Sequence, residues 1–157
     1  MTKQLPFEIR QAQVQDVDAM YDFMLPYMLD KTLIPRDKDN IFQHLQEFVV
    51  AIMDDDVVGV AALHVYTSTL AEVLSLVVPS HHQGLGIGAA LVNACEAFAG
   101  TMGITRVFAL TYVDKFFMKL GYELVTKESL PQKVWTVCVH CPKFSHCDEI
   151  AVHKILR

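Results

Sequence analysis

The 157-residue chain has no run of lysine or arginine, and this lack excludes the clustered basic face with which a nucleic-acid surface neutralises phosphates. Its 13 basic residues are outnumbered by 18 acidic ones, for a formal charge of −5. No stretch approaches the roughly 18 consecutive apolar residues that span a bilayer. The opening MTKQLPFEIR has no apolar signal core. The expectation is a cytoplasmic protein with small-molecule partners, not nucleic acid or membrane. Cysteine is scarce. Cys95 stands alone in an apolar helical pattern, while Cys138, Cys141 and Cys147 cluster near the C-terminus, and a reducing compartment leaves them as thiols or metal ligands. Internal repeats, low-complexity tracts and dividing linkers are also missing, so a single domain over residues 1–157 is expected.

What is present is apolar material, 52% hydrophobic against 20% charged, enough for a sizeable core. Residues 7–12 read as a strand. Asp16 is then expected to cap a helix in which Val17, Met20, Tyr21 and Met24 share a face, until Pro26 interrupts it. A second helix is expected over 37–48, with Ile41, Phe42, Leu45 and Phe48 at helical spacing. Residues 48–53 and 57–66 are β-rich runs joined by Asp54-Asp55-Asp56, a hairpin signal, and 70–78 gives a third strand. The period changes to 3.6 over 84–99, where Ile87, Leu91, Cys95 and Phe98 form a stripe. A strand at 105–110, a short helix at 113–120 and strands at 121–125 and 149–156 complete the order βααβββαβαββ. A strand feeding a glycine turn, a helix and another strand is a βαβ crossover, which requires one parallel pair. The class is α/β, a central mixed sheet flanked by helices.

The chemistry begins at Gln83-Gly84-Leu85-Gly86-Ile87-Gly88-Ala89. Alternate glycines remove side chains, and a helix starts there, so unpaired N–H groups and the positive end of the helix dipole favour an anion such as a phosphate. A glycine-rich helix start without ligand is the plain alternative for the glycines alone. Two phosphate motifs fail on their neighbours. No Gly-Lys-Ser/Thr follows, as a P-loop demands. The looser dinucleotide pattern lacks its acid, because residues 107–110 at the next strand are apolar.

What remains is Gln/Arg-x-x-Gly-x-Gly/Ala, with Gln83, Gly86 and Gly88 in the defining positions, and here the chain resembles the GNAT acetyltransferase superfamily. Val77-Val78-Pro79 looks like that family's strand end beside the pantetheine arm. Phe116-Phe117-Met118-Lys119-Leu120-Gly121-Tyr122 looks like its downstream signature. The two motifs stand in the right order about thirty residues apart, which makes them more specific together than singly. Leu130-Pro131-Gln132-Lys133-Val134-Trp135 with Cys138, Cys141 and Cys147-Asp148-Glu149, together with Leu33-Ile34-Pro35-Arg36, is similar to short bacterial N-acetylglutamate synthases. The resemblance implies acetyl-CoA as co-substrate, bound by Leu76, Val77, Val78, the 83–89 turn, Phe117 and Lys119. It implies glutamate as acceptor in arginine biosynthesis, and a homodimer is common among such relatives.

Acyl transfer to an amine needs a base, a polarised carbonyl and an outlet for the thiolate. Glu72, a carboxylate within an apolar strand, is the candidate base, since burial there raises its pKa; an edge or surface glutamate is the alternative. Backbone N–H groups near Leu76 and Val78 are candidate oxyanion donors. Family relatives place a tyrosine acid where this chain has Phe117, so Tyr112 is the substitute, or the thiolate leaves unaided. Arg36 is the first candidate for an acceptor carboxylate, because its fork fits that group better than a lysine does. Arg10 and Lys133 follow, with structural roles as their alternative. Ser75 and Thr111 lie beside the implied acceptor site. The cysteine cluster, with His140 and His146, has ligands enough for zinc, but its spacing is irregular and no metal is expected. Glutamine or another small amine as acceptor stays open, as does a sensor that binds without catalysis.

Overall fold

The computed structural model describes residues 6–131 and 149–156. Its elements are β1 (Glu8–Gln11), α1 (Val17–Leu29), α2 (Lys38–Gln43), β2 (Phe48–Met53), β3 (Asp56–Val65), β4 (Leu70–Val77), α3 (Ile87–Thr101), β5 (Arg106–Thr111), α4 (Asp114–Lys119), β6 (Glu123–Val125) and β7 (Ile150–Ile155). The strands form one seven-stranded sheet in the order β1-β2-β3-β4-β5-β7-β6. β4 and β5 are parallel, joined by α3, as the crossover predicts; the other pairs are antiparallel.

Strand alternation gives the sheet two apolar faces, and each is covered by the helix whose stripe matches it. Leu63, Ala71, Val73 and Val107 meet Ile87, Leu91, Val92, Cys95 and Ala99 of α3 on one face. Phe48, Val50, Val60 and Ala62 meet Val17, Met20, Met24 and Met28 of α1 and Ile41 of α2 on the other. Each buried Val, Leu, Ile, Phe or Met among them contributes on the order of 1.5–3 kcal/mol, so both helices are fixed by their stripes more than by propensity. The Cys95 thiol is buried in the α3 layer, which pushes its pKa up to about 12 and leaves it inert.

Three local expectations need correction. Pro26 does not interrupt α1, which runs on to Leu29. The proline forfeits one backbone bond and crowds the preceding turn, but Met20, Met24 and Met28 continue the buried face through it. Asp16 does not cap α1 with its side chain. It ends a 3-10 turn, Val14–Asp16, and its carboxylate accepts from the Gln13 N–H at 2.7 Å and from Arg10. The second helix is short. α2, capped by Asp37, stops at Gln43, and a 3-10 turn, Leu45–Glu47, leads into β2. The Asp54-Asp55 hairpin does form, and both residues adopt positive φ, 52° and 66°. That is the backbone of a type I′ turn, which aspartate tolerates better than most side chains.

Candidate active site

β4 leaves its neighbours in two ways. Its ladder to β5 runs Leu70–Arg106, Ala71–Val107 and Glu72–Phe108, and among the described residues it ends there. Against β3 the register shifts between Val60 and Ala62, because Ser75 and Leu76 together oppose Ala61. Ser75 at this bulge has φ 55°, a left-handed conformation that costs a non-glycine residue on the order of 1 kcal/mol. The parallel strands therefore part just beyond Glu72, and the backbone of β4 after the bulge faces the opening. Leu76 and Val78, the expected oxyanion donors, lie in or just past that stretch.

The turn after β4 suits a diphosphate. A 3-10 turn, Ser80–His82, is followed by Gly84 at φ 87° and Gly86 at φ 83°. A β-carbon on either glycine would meet nothing within 4 Å, so they are required by backbone conformation and stand before open space. The Gln83 side chain donates from Nε2 to the Val78 carbonyl at 3.0 Å and pins the turn to the strand end. The first intrahelical bond is Ala90 N–H to Gly86 O, which leaves the N–H groups of Ile87, Gly88 and Ala89 directed out of the 15-residue α3. Leu85 is exposed at the tip of the turn. These features fit the pyrophosphate of coenzyme A.

Glu72 is 5% exposed, on the face of the sheet covered by α1 and α2. Desolvation pushes its carboxyl up to about 7, opposed by a hydrogen bond from the Tyr66 hydroxyl to Oε1 at 2.9 Å. Glu149 adds to the rise, while His64 and Arg36 oppose it. Arg36, between α1 and α2, stacks its guanidinium 5.0 Å over the Phe48 ring and donates from Nη1 to Asn40 Oδ1 at 2.8 Å. Its Nε is buried and, among the described residues, has no hydrogen-bond partner. Burial draws its pKa down, while Glu47, Glu72 and Tyr66 support its charge. A buried donor left unpaired costs about 1–3 kcal/mol, so this atom has a hydrogen bond to give that no described residue accepts.

Other expected residues have different surroundings. Arg10 gives its fork to Asp16, with bonds of 2.7 and 3.0 Å, on β1 at the sheet's edge. Phe117 is 3% exposed in the core with its ring against Tyr122. Phe116 is the one that lies against the first turn of α3, 3.2 Å from where a β-carbon on Gly88 would stand. Lys119 is exposed at the end of α4. Ser75 and Thr111 are buried, and Thr111 Oγ1 accepts from the Val113 N–H at 2.8 Å at the end of β5. Tyr112 follows it, half in solvent. Lys133 and the cluster of Cys138, Cys141 and Cys147 lie outside the described residues. Among the described residues no group of three or more His, Cys, Asp or Glu side chains is placed to hold a metal, and no helix is long and apolar enough to cross a membrane.

Tyr66, His64 and Glu47 are site neighbours that motif reading missed. The signal was available: if β3 and β4 form a hairpin about Thr67-Ser68-Thr69, Tyr66 sits at its start and His64 falls opposite Glu72.

Residues 15–122 match the model of the Acetyltransferase (GNAT) family. An uncharacterized N-acetyltransferase of Chlorobaculum tepidum is 38% identical over 94% of this chain and 96% of its own length. The amino-acid acetyltransferase of Mycobacterium tuberculosis is 34% identical over 73% of this chain and 67% of its own. That of Ralstonia nicotianae is 32% identical over 79% of this chain, but this spans only 28% of the relative. Among solved structures, a Mycobacterium tuberculosis protein in complex with CoA superposes with TM-score 0.84 at 26% identity, over 96% of this chain and 99% of that one. The fold is also that of the Neisseria gonorrhoeae N-acetylglutamate synthase complexed with coenzyme A and N-acetyl-glutamate, at TM-score 0.90 and 23% identity, over 99% of this chain and 36% of that one. With the parted strands, the glycine turn at a helix start and a matched family model over most of its length, the chain belongs to the GNAT acetyltransferases and is an acetyl-CoA-dependent N-acetyltransferase.

Proposed function

We propose that the enzyme acetylates the α-amino group of a small amino acid, with L-glutamate as the acceptor, as in the first committed step of arginine biosynthesis in the cytoplasm. The observation that carries this reading is the buried Arg36 Nε, without a partner among the described residues, close to the buried Glu72: a cation for a carboxylate and a base for an ammonium. The amino-acid acetyltransferases among its relatives point the same way.

In this reading the glycine turn and the N-terminus of α3 hold the diphosphate, and the parted edge of β4 aligns the thioester. Backbone N–H groups about Leu76 and Val78 stabilise the oxyanion as the amine attacks. Glu72 takes the ammonium proton, directly or through a water, and its raised pKa matches that task near neutral pH. Arg36 fixes the acceptor carboxylate, which holds the amine in line. Tyr112 protonates the departing thiolate, or the thiolate, a good leaving group, departs without an acid.

One observation favours glutamine as a second acceptor. Glu47 Oε1 is buried without a partner among the described residues, and it bears on Arg36. A carboxamide N–H satisfies such an oxygen and a carboxylate does not. The test is thiol release from acetyl-CoA, screened against the twenty amino acids. Glutamate or glutamine should stimulate release well above every other acceptor. Release stimulated by none of the twenty would remove the amino-acid assignment.

A further inference from the structure

His64 on β3 pairs directly with Glu72 on β4, so the two side chains leave the sheet on the same face as nearest cross-strand neighbours. The His64 ring meets the Tyr66 ring edge-on at 4.8 Å, and Tyr66 is the residue that donates to Glu72. At its other side, His64 Nδ1 is 2.9 Å from Glu47 Oε2. Glu47 belongs to the 3-10 turn ahead of β2, so three separate elements bring Glu47, His64 and Glu72 together. The glycine turn and the Phe116–Tyr122 segment account for none of this.

We propose that the Glu47–His64 pair is a positioning device for the transfer step: Glu47 holds His64 as an imidazolium, and that cation keeps the buried Glu72 ionised as a base. The role rests on Glu72 being the base. Each group around the two residues has a definite sign. Glu72 feels Glu149, ahead of β7, as a repulsion; Tyr66, His64 and Arg36 favour its charge. The His64 imidazole is pushed up first by its bond to Glu47, with Glu72 adding to this, against desolvation and the positive charge of Arg36. Arg36 cannot supply the effect alone. Its charge is matched by the acceptor carboxylate once the substrate is seated, whereas His64 already has its counter-ion on the side of Glu47 and keeps acting on Glu72. A half-buried imidazolium beside a fully buried carboxylate acts through low dielectric, where one charge is worth more than in water.

The experiment compares wild type with His64→Gln and Glu47→Gln in two measurements. One is the pH profile of kcat/KM with the best acceptor. The other is the titration of the Glu72 side-chain carboxyl by carbon NMR on glutamate-labelled protein, its resonance assigned by its disappearance in Glu72→Gln. Both His64→Gln and Glu47→Gln should move the acid limb and the Glu72 titration upward together by about one pH unit. The loss of rate should be largest below neutral pH and narrow as pH rises. A uniform loss at every pH, with the Glu72 resonance titrating where it does in wild type, would overturn the proposal and leave the pair a structural contact. Should His64→Gln not fold, Glu47→Gln carries the same readouts, since it removes the counter-ion and leaves the ring in place. Full turnover in Glu72→Gln would strike down the base itself, a result separate from an unmoved limb in the His64 variant.

Discussion

Tyr66 donates its hydroxyl to Glu72 Oε1 across 2.9 Å, from the loop that begins the β3–β4 hairpin to a carboxyl buried in the middle of the sheet. The bond stabilises the ionised form of Glu72 and so restrains the rise that burial imposes. Tyr66→Phe removes the donor and keeps the ring. The acid limb of kcat/KM should then move upward by roughly half to one pH unit, with little change at the alkaline plateau.

Glu72 itself sets activity against stability. Its carboxyl has an ordinary value of 4.5 and reaches about 7 in the folded protein, so the folded state binds the proton more tightly. Stability contributed by this group is therefore full below the unfolded value and is lost as pH rises from there through about 7. Glu72→Gln carries no buried charge above that range. It should melt at a higher temperature than wild type at pH 8, by the equivalent of about 1–3 kcal/mol, while turnover falls roughly 10²–10⁴-fold. Calorimetry at pH 5 and pH 8 checks the sign, because the difference should shrink at the lower pH.

Arg36 Nε is a buried donor without a partner among the described residues, so its removal should act on the acceptor and not on the coenzyme. Arg36→Ala should raise the acceptor KM about 10–100-fold, the worth of one or two charge-assisted bonds, and leave the acetyl-CoA KM within about twofold. Arg36→Lys should restore little, because a point charge cannot reproduce the fork. An unchanged acceptor KM in the alanine variant would take Arg36 out of the site.

Gly86 separates conformation from contact. Space lies open before it, so an added methyl meets no atom within 4 Å, but its φ of 83° is costly for alanine. Gly86→Ala should lose about 1–2 kcal/mol of stability and should weaken acetyl-CoA binding by more than acceptor binding, because the N–H groups of the turn rotate away from the diphosphate. Isothermal titration with coenzyme A reads the effect directly.

The Arg10–Asp16 pair is a structural bond with a defined pH range. Its hydrogen bond to Arg10 holds Asp16 below the ordinary 3.8, so the stabilisation is full above that value and disappears as pH falls through the lower folded value. Asp16→Ala leaves the Gln13 N–H unpaired and the Arg10 guanidinium with only its bond to the Gln11 carbonyl, and should cost about 1–3 kcal/mol at pH 7. Denaturant melts at pH 7 and pH 3 should show the cost fading, with turnover of the folded variant little altered.

How far the chain could be read in advance differs from place to place for physical reasons. The Asp54-Asp55 turn and the glycines before α3 were legible because positive φ restricts residue type locally. Glu72 was legible as one charged residue inside an apolar strand. Pro26 misled because the buried methionine face of α1 outweighs the broken backbone bond. The neighbours Phe116 and Phe117 were not separable by motif, since only the packing of α4 decides which ring enters the core and which meets α3. Arg10 and Asp16 are six residues apart across a 3-10 turn, a spacing that no helical or strand period joins.

Local chemistry written in the chain was enough to determine the element order, the parallel crossover and the glycine turn at the start of α3, because periodicity, glycine conformation and helix starts are properties of neighbouring residues. Only the tertiary structure decided where β4 leaves β5 and which groups surround Glu72. Those outcomes depend on a bulge at Ser75 and on strand register, and a shift of one residue in that register would carry His64 away from Glu72.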